Sequence, residues 1–178
     1  MTTGCEHYKR FCKILTPCCT KPYSCHICHD DKENHSLNRH LIQELICDVC
    51  NHVQDPKSKC DNCGTVFGIY SCLYCFVFDN DLKGQFHCFE CGLCRVGGEA
   101  NYFHCKMCNM CFALRLRANH KCVENCAGGN CPLCGEGLHS SRKELHVPTC
   151  GHLLHTECHN TLVSNNYKKC TICNLKTN

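Results

Sequence analysis

Cysteine recurs in this chain as C-x-x-C, at Cys25/Cys28, Cys47/Cys50, Cys60/Cys63, Cys72/Cys75, Cys88/Cys91/Cys94, Cys105/Cys108/Cys111, Cys131/Cys134 and Cys170/Cys173. Two thiolates three positions apart on a tight turn can grip one ion at about 2.3 Å each, the geometry that suits tetrahedral zinc. Fourteen histidines accompany the 26 cysteines. A disulfide framework would have no use for them, whereas imidazole nitrogen completes a mixed sulfur and nitrogen zinc site. Residues 1–30 contain no apolar run of the roughly 7 to 15 residues that an export signal needs. The expectation is a reducing, intracellular setting, cytoplasm and/or nucleus, where such cysteines bind metal rather than pair.

The elements that must position these ligands cannot rest on an oily core. Apolar residues reach 43% only because cysteine is counted among them; without it the fraction falls to about 29%, low for a domain of this length. Ordering each residue costs roughly 1.5 kcal/mol of conformational freedom, so metals have to supply what burial does not. No stretch approaches about 18 continuous apolar residues, and no membrane span is expected. The net charge of +3 is scattered. With no basic stripe and no C-x2-4-C-x12-H-x3-5-H unit, nucleic acid is not an expected partner.

Ligand density divides the chain into residues 1–67, 68–124 and 125–178. In the second block FHCFECGLC (86–94) is echoed by FHCKMCNMC (103–111), an internal repeat of 17 residues. Gly128-Gly129, within VENCAGGN, reads as a hinge. Residues 37–46, LNRHLIQELI, fit a short helix or a strand equally. Thr156-Glu157 reads as a helix start, with Leu162 and Val163 on one face before Asn165-Asn166. Arg115, Arg117 and Lys121 make a local positive spot, read as a solvated face.

The third block runs Cys131-x2-Cys134-x15-Cys150-x-His152-x2-His155-x2-Cys158-x11-Cys170-x2-Cys173. Its crowded centre favours interleaving, with Cys131, Cys134, His155 and Cys158 on one ion and Cys150, His152, Cys170 and Cys173 on the other. These residues resemble a RING domain. The resemblance implies a scaffold-type ubiquitin ligase that binds a ubiquitin-charged conjugating enzyme (E2) and promotes transfer to a substrate lysine, with no catalytic residue and no covalent ubiquitin intermediate of its own. It implies an E2 contact through Leu133 and Leu162, with Asn174 where many active relatives carry arginine, and it expects proline where this chain has Thr171.

The opening GCEHYKRFC, PCC and YSCHICHD, followed by CDVC and CDNC, resembles a CHY-type zinc finger, and the second block resembles a CTCHY-type finger. Their order ahead of a RING is that of the Pirh2 family of ubiquitin ligases. The fold implied is a set of small zinc-stabilised modules with little regular secondary structure, the RING carrying one short helix and a small β-hairpin. The ligands implied are Cys5, His7, Cys18, Cys19, Cys25, Cys28, His29, His35, Cys47, Cys50, Cys60 and Cys63 in the first block. The second gives Cys72, Cys75, His87, Cys88, Cys91, Cys94, His104, Cys105, Cys108, Cys111, His120 and Cys122. With the RING set they would hold eight zinc ions, three, three and two, all structural. Which ligands share an ion in the first two blocks stays open. Cys12 and Cys126 are left over, as are His26, His40, His52, His139, His146 and His159. The implied partners are an E2, ubiquitin and a protein substrate recruited by the first two fingers. The alternative is a zinc-rich adaptor with a degenerate RING, which Thr171 and Asn174 favour. Relatives commonly continue into a further zinc-binding segment past the position of Asn178.

Overall fold

The computed structural model describes residues 4–176. Secondary structure is sparse and short, because ligand geometry rather than propensity decides where the chain turns. In order, the elements are β1 (Cys12–Leu15), β2 (Pro22–Tyr23), α1 (His26–Asp30), β3 (Glu44–Cys47), β4 (Val53–Gln54), β5 (Tyr70–Cys72), β6 (Val77–Asp79), β7 (Phe86–Cys88), β8 (Leu93–Arg95), β9 (Tyr102–Cys105), β10 (Met110–Ala113), β11 (Leu145–His146), β12 (Leu154–His155) and α2 (Thr156–Ser164). No helix among the described residues is long and apolar enough to cross a membrane.

Two compact units result, one running to His87 and taking in Cys94–Gly97, the other made of Cys88–Leu93 and the chain from Gly98 onward. The chain changes units within the β7/β8 hairpin. In the first unit an antiparallel sheet of order β2-β1-β3-β4 packs Ile14, Leu45, Phe67 and Phe78 out of solvent. Arg10 is wholly buried there. Its Nε donates to the Cys12 carbonyl at 2.9 Å, Nη1 to the Phe76 carbonyl at 3.3 Å and Nη2 to Cys12 Sγ at 3.2 Å, while the guanidinium lies 4.8 Å from the centre of the Phe78 ring. A buried arginine is tolerable only with its donors satisfied in this way. Cys12 is accordingly a small buried side chain, its thiol pushed up by burial.

Asp79 pins the N-terminal segment to the β5/β6 hairpin. Its carboxylate accepts from the backbone of Lys9 and Asp81 at 3.1 and 3.2 Å, and from Lys83 Nζ and Gln85 Nε2 at 2.9 and 3.1 Å. Burial would raise its pKa, but these donors hold it below the usual range.

In the second unit Met110, Phe112, Ala127, Leu138, Leu153 and Leu154 form the core. The VENCAGGN stretch, expected to be a hinge, is packed instead. The Asn125 and Ala127 amides donate to the carbonyls of Met107 and Cys108, and Ala127 is fully buried. Residues 37–46 are neither one helix nor one strand. Asn38 caps a single turn over Arg39–Leu41 by accepting from the His40 amide, and β3 starts at Glu44. Helix α2 begins at Thr156, its N-cap is His155 rather than the threonine, and Asn165 caps its end.

Candidate metal centres and docking groove

Most of the C-x-x-C pairs build the same small turn, whereas Cys25/Cys28 opens α1. In the knuckles closed by Cys47/Cys50, Cys60/Cys63, Cys131/Cys134 and Cys170/Cys173, the first cysteine's amide donates to the carbonyl five residues on, at 2.8 to 2.9 Å. Its own carbonyl accepts from the amide four residues on, at 2.8 to 3.0 Å. The turn closes only if the residue after the second cysteine is left-handed, and it is at Asn51, Gly64, Phe76, Gly92, Asn109, Gly135 and Asn174, with φ between 53° and 75°. Glycine and asparagine enter that region at little cost; Phe76 does not, and its ring is held by burial in the first unit's core. Amides also point at sulfur: those of Cys28, Cys75 and Cys91 lie 3.4 Å from the Sγ of Cys25, Cys72 and Cys88. Donors aimed at sulfur favour thiolate.

The structure gathers these side chains into four-donor groups. Cys5, His7, Cys25 and Cys28 converge, as do Cys18, Cys19, His29 and His35, then Cys47, Cys50, Cys60 and Cys63. Next come Cys72, Cys75, His87 and Cys94, and Cys88, Cys91, His104 and Cys111; in all five groups the donor atoms lie within 4.8 Å of one another. Cys105 is 3.7 Å from Cys122 and 3.3 Å from His120 Nε2, which is 3.2 Å from Cys122, and Cys108 adjoins them. In the last block Cys134 lies 3.3 Å from His155 Nδ1, with Cys131 and Cys158 alongside, and Cys170 lies 3.8 Å from His152 Nδ1, with Cys150 and Cys173 alongside.

Tetrahedral zinc bound at about 2.3 Å by sulfur and about 2.0 Å by nitrogen demands S···S edges of about 3.8 Å and S···N edges of about 3.5 Å. The S···S contacts here are 3.5 to 3.8 Å, and the S···N contacts at His7, His87 and His104 are 3.3 to 3.8 Å. A disulfide would require about 2.05 Å, and every cysteine is free. Burial pushes the Cys47 thiol up to about 12. Deprotonating so buried a thiol calls for a nearby cation. The exposed Cys63 differs: the Thr65 hydroxyl at 3.1 Å and the Thr65 backbone bring its thiol down to about 6.

The 17-residue echo acquires a structural meaning. Each repeat gives its histidine and last cysteine to the C-x-x-C that precedes it, so His87 and Cys94 serve Cys72/Cys75 while His104 and Cys111 serve Cys88/Cys91. The same sharing occurs on α1, where Cys28 and His29 face different groups. Groups around the ligands, missed in the sequence, fix their orientation. His29 presents Nε2 to Cys18 at 3.2 Å because its Nδ1–H donates to Asp30 at 2.8 Å, and His120 is turned likewise by the Leu116 carbonyl at 2.8 Å. The Tyr70 hydroxyl donates to Cys94 Sγ at 3.1 Å. The readable signal was an acidic residue directly after a ligating histidine.

Between the two arms of the last block lies a shallow groove with about 10 Å³ of enclosed space, lined by Pro148 and Leu154 together with Pro132, His152, His159, Leu162, Lys169, Cys170 and Thr171. Leu162 is half-buried on one flank. Leu133, 43% exposed, adjoins the rim residue Pro132, and Asn174 is exposed at the tip of the last knuckle. Of the leftover residues, Cys126 Sγ faces the Cys108 carbonyl, the His146 and His159 rings stack at 3.7 Å, and Arg117 lies over Phe103.

These are the features of a protein built from zinc modules. Residues 5–70 match the CHY zinc finger model. The chain is 42% identical over 178 residues to E3 ubiquitin-protein ligase SRFP1 of Oryza sativa subsp. japonica, covering 98% of this chain and 68% of that one. It is 41% identical to E3 ubiquitin-protein ligase RZFP34 of Arabidopsis thaliana (96% and 62%) and 38% identical to Zinc finger protein BRUTUS of the same plant (96% and 14%). The chain belongs to the Pirh2-like family, that of the RING ubiquitin ligases with a CHY-type zinc finger.

Proposed function

We propose that this protein is a RING-type E3 ubiquitin ligase acting as a scaffold in three modules, 1–67, 68–124 and 125–178. The groups described above would hold zinc, eight ions in all, through the thirty-two ligands named from the sequence. Four protein donors leave no open position, so the metal supplies rigidity and the reacting atoms belong to the E2 thioester and the acceptor lysine. The observation that carries the reading is the apolar groove between the two arms of the last block. Pro132 and Leu133 are fixed by one ligand group and Thr171 by the other, so the surface is shaped before a partner arrives. An E2 docks there and the first two fingers recruit substrate, within a reducing compartment inside the cell.

A panel of conjugating enzymes with the zinc-loaded chain tests this. Self-ubiquitination is expected with at least one enzyme, and Leu162→Ala or Leu133→Ala should cut it at least tenfold with zinc content unchanged. Inactivity across the panel would favour the adaptor reading, for which Thr171 and Asn174 speak.

A further inference from the structure

We infer that the groove selects an E2 whose docking loops carry Asp or Glu. This rests on the ligase reading above and concerns which enzyme the same site takes. Lys169 lines the groove, and it faces Lys176 across an isolated antiparallel bridge that closes the last knuckle. Residues directly opposite in an antiparallel pair project to the same side, and like charges so placed repel. Lys168 stands next to them, and all three lysines are exposed. No ion pair among the described residues involves any of the three.

Between Glu157 and Lys176 the sequence holds no Asp or Glu. Glu136, on the opposite arm, is engaged by Lys143 at 2.8 Å. Glu157 precedes the groove residue His159 by two positions on α2, about 200° around the helix. The apolar floor thus has a rim of one sign, and such a rim favours partners of the other sign, chiefly through the rate of encounter. A second copy of this chain is disfavoured as occupant, because symmetric pairing through the groove sets lysine against lysine.

The test is binding of the full zinc-loaded chain to conjugating enzymes ranked by the charge of their RING-facing loops. Enzymes with acidic loops should bind roughly tenfold more tightly than those with basic loops, and the difference should shrink between about 50 and about 500 mM NaCl. Lys169→Glu and Lys176→Glu, each checked for the parental zinc content by mass spectrometry, should reverse the ranking. Lys168→Glu provides a substitution one position further from a ligand. Binding that ignores loop charge and salt, or survives all three reversals, overturns the selection while leaving the ligase reading intact. Failure to bind any enzyme of either charge overturns the ligase reading, and the selection with it.

Discussion

Side chains that touch no metal decide how well the ligands hold one. Asp30 is the clearest case: it accepts from His29 Nδ1–H and from the Leu37 amide, both at 2.8 Å, and thereby aims one ring and fixes the loop that carries His35. Such an outer carboxylate raises the basicity of the imidazole it grips. Asp30→Asn, which retains a carbonyl but loses the charge, should weaken one zinc site by about 10- to 100-fold, seen as one equivalent released early to a chromophoric chelator. Asn174 makes the opposite point. Its φ of 58° suits asparagine, and an arginine there costs about 1 kcal/mol in backbone strain while restoring a fork-shaped donor. Asn174→Arg should therefore melt slightly earlier yet discharge ubiquitin faster in a single turnover; an unchanged rate would remove the role assigned to that position.

At the scale of elements, the knuckle is the unit that repeats, and most of it could be read in the sequence. The ligands and the interleaving of the last block were legible in its spacing, and the start of α2 in Thr156-Glu157, whereas the ligands of the first two blocks came with the family resemblance. Their grouping was legible in neither, because it depends on which distant turns meet, and spacing within a turn carries no record of that. Asn51, Gly64, Asn109 and Gly135, each just after a second cysteine, are residue types that enter the left-handed region cheaply. Phe76, in the same place, broke the pattern for a reason that lies in the packed core. Gly128-Gly129 misled because two glycines suggest freedom, whereas hydrogen bonds to the Cys105/Cys108 turn hold the stretch. A glycine that matters more is Gly151, between Cys150 and His152. At φ +83° a Cβ there would sit 2.3 Å from the Lys121 carbonyl oxygen and 2.9 Å from Val123 Cγ2. Gly151→Ala should destabilise by about 2 kcal/mol or more, combining steric overlap with left-handed strain, measurable as a lowered midpoint in chemical denaturation.

The whole molecule is held by many small closures rather than by one core, so its stability should follow its metal. Ligands must shed protons to bind zinc, hence the unfolded, metal-free chain carries more protons and stability rises with pH. Glu33 adds to this in the same direction. The Lys21 ammonium and the Tyr23 hydroxyl bring its carboxyl down to about 2, so its contribution is full above its unfolded value and is lost only as pH falls through about 2. Zinc release and loss of tertiary signal should therefore coincide on acidification, well above the pH at which Glu33 protonates. A chelator at neutral pH should produce the same expanded state by small-angle scattering. Structure that outlives complete zinc removal would contradict this account. The hand-over of ligands from one 17-residue step to the next also bears on synthesis. As the polypeptide leaves the ribosome, Cys72 and Cys75 wait for His87 and Cys94, and by the time those arrive Cys88 and Cys91 are already waiting in turn. Every growing tip of this stretch therefore carries an unfinished pair of thiols, which the next segment of the chain completes.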